Sequence, residues 1–254
     1  MLVVLLAAGA AMRLRPLTNN TPKCLLPVGS RSIVARTVQL LADRGLQRFT
    51  VVDGFCGDKL RSALTGEFPP DWFRFVRNDL YGTTNNAYSL MLALRATREA
   101  FLLLDSDVLF EPSVLDRLLA DPHVNRLAVR TQGDIGTEEI KVTLDGDGRI
   151  RSIGKEGDPR LAMGESIGLH AFSSDFSASL LATLERRQLV EERVNEFYEA
   201  SFQELMDTGH AVYPVPLGEL RSMEIDTADD LARAREVFGV TRLAEMAGLD
   251  LDAG

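Results

Sequence analysis

Carboxylates stand at the ends of two apolar stretches. Leu102-Leu103-Leu104 runs into Asp105-Ser106-Asp107, and Met223 leads into Glu224-Ile225-Asp226, ahead of Thr227-Ala228-Asp229-Asp230. Two carboxylates at the carboxyl end of a buried strand lie where open α/β sheets bind ligands. Side chains alternate along a strand, so Asp105 and Asp107 are expected on one face with Ser106 opposed. The plainer reading of that cluster is a strand ending in polar loop residues. In the second cluster Thr227 reads as a helix N-cap with Asp230 three residues on. Capping accounts for Thr227, Asp229 and Asp230 and leaves Glu224 and Asp226 without a reason.

Cations bracket a loop near the start of the chain. Leu6-Ala7-Ala8-Gly9-Ala10-Ala11-Met12-Arg13 follows an apolar run. Small residues let backbone approach a ligand closely, and a turn rich in amide hydrogens can cradle phosphate oxygens. The loop lacks the G-x-G-x-x-G pattern of dinucleotide binding and the Gly-Lys-Ser/Thr of a Walker loop. Alone, it reads equally as a tight turn packed under a helix. Arg13, and Lys23 ten residues further on, add charge suited to a triphosphate and a second phosphorylated substrate.

The net charge of −9 and a pI near 5.0 argue against nucleic-acid binding. They also mean that a polyphosphate is repelled unless local cations or a divalent ion offset the field. Cys24 and Cys56 form neither a disulfide framework nor a zinc pattern, and a reducing cytoplasm fits. The apolar start is too short for a membrane span and lacks a basic leader, so it reads as a buried strand.

Positioning these groups requires an alternating pattern of strands and helices. Leu2–Leu6, Phe49–Val52, Phe73–Val76 and Phe101–Leu104 read as strands. Helical patterns fall at Ser32–Asp43, Asp58–Leu64, Asn86–Thr97 and Pro112–Leu119. Continuous apolar strands separated by helices imply a parallel sheet covered on both faces, and so a doubly wound α/β domain. Glu139–Thr143 and Arg149–Ile153 flank Leu-Asp-Gly-Asp-Gly, a hairpin signal. Ile167–Phe172 and Val212–Val215 read as further strands, with helices at Asp175–Arg187, Asn195–Asp207 and Thr227–Phe238. The expectation is one domain over 1–246 with an antiparallel insertion at about 132–172 and a frayed tail over 247–254.

The segment LAAGAAMRLRPLTNNTPKCLLPV resembles the signature of the nucleotidyltransferase superfamily that joins a nucleoside triphosphate to a sugar phosphate or another phosphomonoester. That signature is L-A-A-G-x-G-x-R-L, then P-L-T, then P-K-x-L-L-P-V; Ala11 replaces the second glycine and narrows the loop slightly. Within the superfamily, Thr84-Asn85-Asn86-Ala87-Tyr88-Ser89-Leu90 is similar to the phosphocholine cytidylyltransferase subgroup, as are Ile153-Gly154-Lys155-Glu156 and Gly164-Glu165-Ser166-Ile167-Gly168. The resemblance spans roughly residues 1–235 and implies a Rossmann-like fold with a mostly parallel mixed sheet.

The resemblance implies a Mg²⁺-dependent transfer of CMP from CTP, or of another nucleotide, to phosphocholine or 2-aminoethylphosphonate. It places the metal on Asp107 and Asp226, and the nucleotide along Leu6, Ala8, Gly9, Ala10, Ala11, Met12, Arg13 and Lys23. Asp79, Thr84 and Asn85, with Asp105, are further nucleotide-binding candidates, the first three for reading the base; Asp105 stands where many members carry glycine or another residue. Arg13 is expected on the pyrophosphate, Lys23 on the α-phosphate or incoming phosphate, and Lys155 on the acceptor phosphate. The acceptor's cationic end calls for carboxylates or aromatic faces; candidates are Asn86, Tyr88, Glu165, Glu196, Tyr198 and Glu199. On a helix Tyr198, Phe202 and Leu205 share one face and Glu196 and Glu199 another, a pattern that an apolar core face and a solvated acid face explain as well. His170 reads as structural. No nucleic-acid or membrane partner is expected, and a homo-oligomer is compatible. Two other readings stand beside this one: a sugar-1-phosphate enzyme, and an inactive nucleotide-sensing homologue, against which the presence of Arg13, Lys23, Asp107 and Asp226 argues.

Overall fold

The computed structural model describes residues 1–133 and 135–239. At its centre lies β1 (Leu2–Ala7), buried along its whole length because both of its faces are apolar. Leu2, Val4 and Leu6 enter one core, and Val3, Leu5 and Ala7 the other. Each such Leu or Val contributes roughly 1.5–3 kcal/mol by leaving water. β1 pairs in parallel with β4 (Phe49–Asp53) on one side and β6 (Phe101–Asp105) on the other, and β5 (Phe73–Arg77) continues outward from β4. The crossovers run through α1 (Ile33–Ala42), α2 (Gly57–Glu67) and α3 (Asn86–Ala96). The chain moves outward from β1 through β4 and β5, then returns to place β6 on the opposite side of β1. Ligands of open α/β sheets bind where the strand order reverses, at the carboxyl ends of the strands. The Gly9 loop and Asp107 both follow strands that meet there.

After β6 come β7 (Val108–Phe110), α4 (Pro112–Ala120) and β8 (Arg126–Arg130). The hairpin read from the sequence forms as β9 (Lys141–Leu144) and β10 (Ile150–Gly154). It is not separate from the main sheet. The long β11 (Gly164–Phe172) pairs antiparallel with β6, β8 and β9, making a nine-stranded mixed sheet. The register of β11 against β8 breaks between Ser166 and His170. Gly168 lies in that break with φ +72°, and a Cβ there would stand 2.7 Å from Asp105 Oδ2. Only glycine accommodates both the backbone and the carboxylate.

α5 (Ser174–Glu185), α6 (Glu199–Asp207) and β12 (Tyr213–Pro216) follow, β12 parallel to β8. The helix expected over Asn195–Asp207 begins only at Glu199. Two contacts tie the preceding residues to the start of α3 instead: Asn85 Nδ2 donates to the Asn195 carbonyl, and the Tyr198 amide, at the helix N-cap, donates to Asn86 Oδ1. β13 (Ser222–Glu224) pairs antiparallel with β7, and α7 (Ala228–Gly239) opens on the expected reciprocal bonds between Thr227 and Asp230. A third, smaller core around Leu14, Val28, Ile33, Leu109, Ile225 and Leu231 ties α7 and β13 to the loop after β1. It also takes in the short ladder of β2 (Pro27–Val28) with β3 (Arg31–Ser32). The tail expected over 247–254 lies outside the described residues.

Candidate active site

The short β7–β13 ladder sets Glu224 opposite Val108, and the Ile225 amide donates to the Asp107 carbonyl at 3.1 Å. Two carboxylates from distant parts of the chain therefore face each other. Lys23, in the single turn Lys23–Leu25, lies between them, with Nζ 2.6 Å from Asp107 Oδ2 and 2.9 Å from Asp226 Oδ1. Arg13 closes on Asp226 from the other side, Nη2 to Oδ2 at 2.7 Å. Burial pulls the Lys23 ammonium toward neutrality, yet Asp107 and Asp226 overcome it and raise its pKa above the usual lysine range.

Glu224 completes a group in which one ligand oxygen each of Asp107, Glu224 and Asp226 lies within 4.8 Å of the others. Glu224 sits at a cavity mouth, but its surroundings are close enough that lost hydration, with Asp107 and Asp226 beside it, pushes its carboxyl up to about 8. Asp107 Oδ1 is buried without a hydrogen-bond partner among the described residues. A divalent cation fits this group: hard oxygens, excess negative charge and an unpartnered oxygen are the features such an ion neutralises.

The strand alternation expected to put Asp105 and Asp107 on one face stops at Asp105, because the chain turns at Ser106-Asp107 into β7. The two acids take different partners. Asp105 accepts a 2.6 Å hydrogen bond from the Tyr198 hydroxyl, and burial, with Asp107 nearby, holds its carboxyl well above the usual range. In the loop after β1, Ala11 is left-handed at φ 44°, ψ 55°. This is the position of the missing glycine, where a methyl costs roughly 1 kcal/mol. The Thr18 hydroxyl holds the turn by donating to the Ala11 carbonyl at 2.8 Å. A Cβ on Gly9 would meet nothing within 4 Å, so the loop stays open on that side.

Two cavities meet here. One, of about 180 Å³, is lined by Leu6, Gly9, Ala11, Lys23 and Asp107 among others. The second, of about 560 Å³, extends under β11 and the residues preceding α6. Arg13 and Asp226 line both, so the charged cluster stands at their junction.

The sequence matches the profile of the MobA-like NTP transferase domain over residues 3–205. The chain belongs to the MobA-like NTP transferase family. It is 38% identical over 125 residues to CMP-5'-(3-aminopropyl)phosphonate synthase of Streptomyces rubellomurinus, a match covering 49% of this chain and 20% of that protein. It is 28% identical over 173 residues to 2-aminoethylphosphonate cytidylyltransferase of Lancefieldella rimae, covering 67% of this chain and 66% of the relative. The chain thus spans a fifth of the first relative and just under two thirds of the second. Among solved structures, CTP:phosphocholine cytidylyltransferase of Streptococcus pneumoniae superposes with a TM-score of 0.76 at 21% identity, over 93% of this chain and 98% of that one. At that identity the likeness speaks for the fold.

In this NTP transferase-family chain the other candidates fall into two sets. Asn86, Lys155, Glu165, Tyr198 and Glu199 line the larger cavity. Glu165 is ion-paired with Arg130 of β8, and Lys155 with Glu138 at 3.1 Å. Glu199 is buried, and burial lifts its carboxyl to about 7. The second set lines neither cavity. Glu196 pairs with Arg187 at 2.8 Å, so it does not share a free face with Glu199. Asp79 pairs with Arg77, the Thr84 hydroxyl donates to the Leu80 carbonyl, and Asn85 caps α3. Tyr88 packs against the apolar core, Ala8 anchors the loop by accepting from the Phe55 amide, and Met12 is exposed. Ala10 lines neither cavity.

The sequence singled out Glu224 beside Asp226 but gave it no role in the site, and it missed two further groups. Arg130 lay in an unrecognised strand. Lys141 is buried on β9 and donates to the carbonyls of Thr137, Glu139 and Lys155, a role with no local signal.

Proposed function

We propose that this chain transfers a nucleoside monophosphate, CMP from CTP, to a phosphomonoester or phosphonate such as phosphocholine or 2-aminoethylphosphonate, releasing pyrophosphate. The observation that carries the reading is the pair of cavities joined at Arg13 and Asp226, with the acidic group and Lys23 at the junction. The phosphates of a nucleoside triphosphate would sit in the smaller cavity beneath the Gly9 loop, with a second phosphorylated molecule in the larger one. The relatives' names point the same way.

In the reaction an acceptor oxygen attacks the α-phosphorus, and the bond from that phosphorus to the pyrophosphate oxygen breaks. A phosphomonoester has its second pKa at about 6, so the attacking oxygen is already deprotonated near neutral pH and no general base is needed. The protein's contribution is positioning and charge neutralisation. Asp107, Glu224 and Asp226 would hold Mg²⁺, which when bound neutralises phosphate charge and polarises the α-phosphate. Lys23 is released from the two aspartates to meet the α-phosphate or the incoming phosphate. Arg13, exposed at the junction, steadies the departing pyrophosphate, and Lys155 receives the acceptor's phosphate from across the larger cavity. Leu6, Gly9 and Ala11 wall the phosphates, with Ala8, Ala10 and Met12 in the same loop. Asp79, Thr84 and Asn85 belong to the segment proposed to read the base. Cys24 and Cys56 are unpaired, which suits a reducing cytoplasm, and among the described residues no helix is long and apolar enough to cross a membrane.

The reading is tested by measuring pyrophosphate release across the four NTPs, each with phosphocholine, 2-aminoethylphosphonate and hexose 1-phosphates. Release with CTP and one of the first two acceptors supports it. Release only with a hexose 1-phosphate moves the chain to sugar activation, and silence throughout defeats catalysis by this chain.

A further inference from the structure

Among the described residues, eight carboxylates and four cations line the larger cavity, and each of those cations is ion-paired. Arg13 pairs with Asp226, Arg130 with Glu165, Lys155 with Glu138, and Arg233 with Asp230. Of the remaining four acids, Asp105 accepts from Tyr198, and Glu224 belongs to the metal-binding group. That leaves Glu139 and Glu199. Among the described residues neither has an ion-pair partner, and each has a buried Oε2 with no hydrogen-bond donor. Glu199 is only 5% exposed, so its unpartnered oxygen is a standing cost to the folded protein.

The aromatic side of the cavity offers no alternative. Among the described residues, its aromatic lining is Phe197 and Tyr198. The Phe197 ring carries the Lys155 ammonium 4.9 Å from its centroid, and Tyr198 is fully buried with its hydroxyl on Asp105. A quaternary ammonium is recognised by open aromatic faces and has no N–H to give. A primary ammonium brings three donors and needs acceptors.

We infer that the acceptor's distal group is a primary ammonium, bound by hydrogen bonds to Glu199 in the cavity that Glu139 also lines, and that quaternary ammonium acceptors are rejected. This rests on the nucleotidyl-transfer reading and narrows it. A methylated nitrogen placed at Glu199 would supply charge but leave Oε2 without a donor, and the penalty of that buried oxygen would discriminate against it.

The test uses the full chain with CTP and Mg²⁺ and two acceptors that differ only at nitrogen, 2-aminoethylphosphonate and its N,N,N-trimethyl analogue. Pyrophosphate release is expected to favour the primary amine by about tenfold or more in kcat/KM. Glu199→Gln should lower kcat/KM for the primary amine by about tenfold, mainly through KM, and leave the trimethyl analogue within about twofold, so that the preference collapses. Equal or faster turnover of the trimethyl analogue overturns the inference, as does an equal loss for both acceptors in Glu199→Gln. The wild-type comparison decides the matter even if the variant fails to fold. If wild type turns over neither compound, the inference fails. Activity on hexose 1-phosphates would then show that nucleotidyl transfer itself survives, and silence there too would defeat both.

Discussion

The hydroxyl of Tyr198, at the threshold of α6, donates a 2.6 Å hydrogen bond to Asp105 at the end of β6. The same tyrosine's amide donates to Asn86 Oδ1 at the start of α3. One residue thus fastens the acceptor-side wall to the end of the strand from which the acidic turn departs, and to the segment proposed to read the base. The ring is enclosed by His170 and Phe202, with centroids 5.5 Å and 5.0 Å away.

Tyr198→Phe removes the hydroxyl and leaves Asp105 buried without that donor, so it should destabilise the fold by roughly 1–3 kcal/mol. Urea denaturation followed by circular dichroism measures it. An unchanged midpoint would mean that the Asp105 carboxyl does not depend on this bond.

Asp107→Asn and Asp226→Asn each remove charge from the acidic group without changing its shape. Pyrophosphate release should fall by about a hundredfold to a thousandfold, the scale of losing one preorganised electrostatic contact in a transition state. Chelation with EDTA should abolish wild-type release and restored Mg²⁺ should recover it. Mg²⁺ should also raise the thermal midpoint of wild type and not of the variants, because a ligand stabilises only the fold that binds it. An unshifted wild-type midpoint at saturating Mg²⁺ would count against the metal assignment.

His170 sets an acid-side limit on stability. Its ring is fully buried, with Ser166 as its hydrogen-bond partner, and burial pushes its pKa down from 6.5 to about 3. The folded protein therefore refuses a proton that the unfolded chain accepts below about pH 6.5. Stability should fall as pH drops from there toward 3, by up to about 1.4 kcal/mol per pH unit from this group. The double variant His170→Leu with Ser166→Ala should flatten that limb, whatever its stability at pH 8. Parallel pH profiles for wild type and variant would remove His170 as the cause.

Lys141 gives no charge to the site, yet its buried ammonium gathers the carbonyls of Thr137, Glu139 and Lys155. It holds the two rim segments carrying Glu139 and Lys155 in one position. Lys141→Met should raise KM for the acceptor by about tenfold and leave KM for CTP within about twofold. An equal rise in both would reduce Lys141 to a general packing role.

The parallel half of the fold was legible because its signals are local. Leu2–Ala7, Phe49–Asp53 and Phe101–Asp105 are apolar runs long enough to declare themselves. The same holds for the Gly9 loop and the Thr227 cap. The closure of the site was not. β7 and β13 are three residues each, too short for any period, yet their pairing is what brings Asp226 to Asp107; in the sequence that pairing came only from family resemblance. β8 was hidden because Arg126-Leu-Ala-Val-Arg130 has three apolar residues between two arginines. Glu196 and Glu199 looked equivalent on a helix extended back to Asn195. The helix instead begins at Glu199, the residues before it are tied to Asn85 and Asn86, remote in sequence, and Arg187 takes Glu196. Tertiary partners decided these points, and a single sequence does not display them.

The most direct test of nucleotidyl transfer is the fate of the α-phosphorus, followed by ³¹P NMR with CTP, Mg²⁺ and 2-aminoethylphosphonate. Equimolar pyrophosphate and a new phosphonate–phosphate anhydride are expected, both lost in Asp226→Asn. Hydrolysis of CTP to free CMP without the anhydride, or an anhydride formed equally well by Asp226→Asn, would contradict the account.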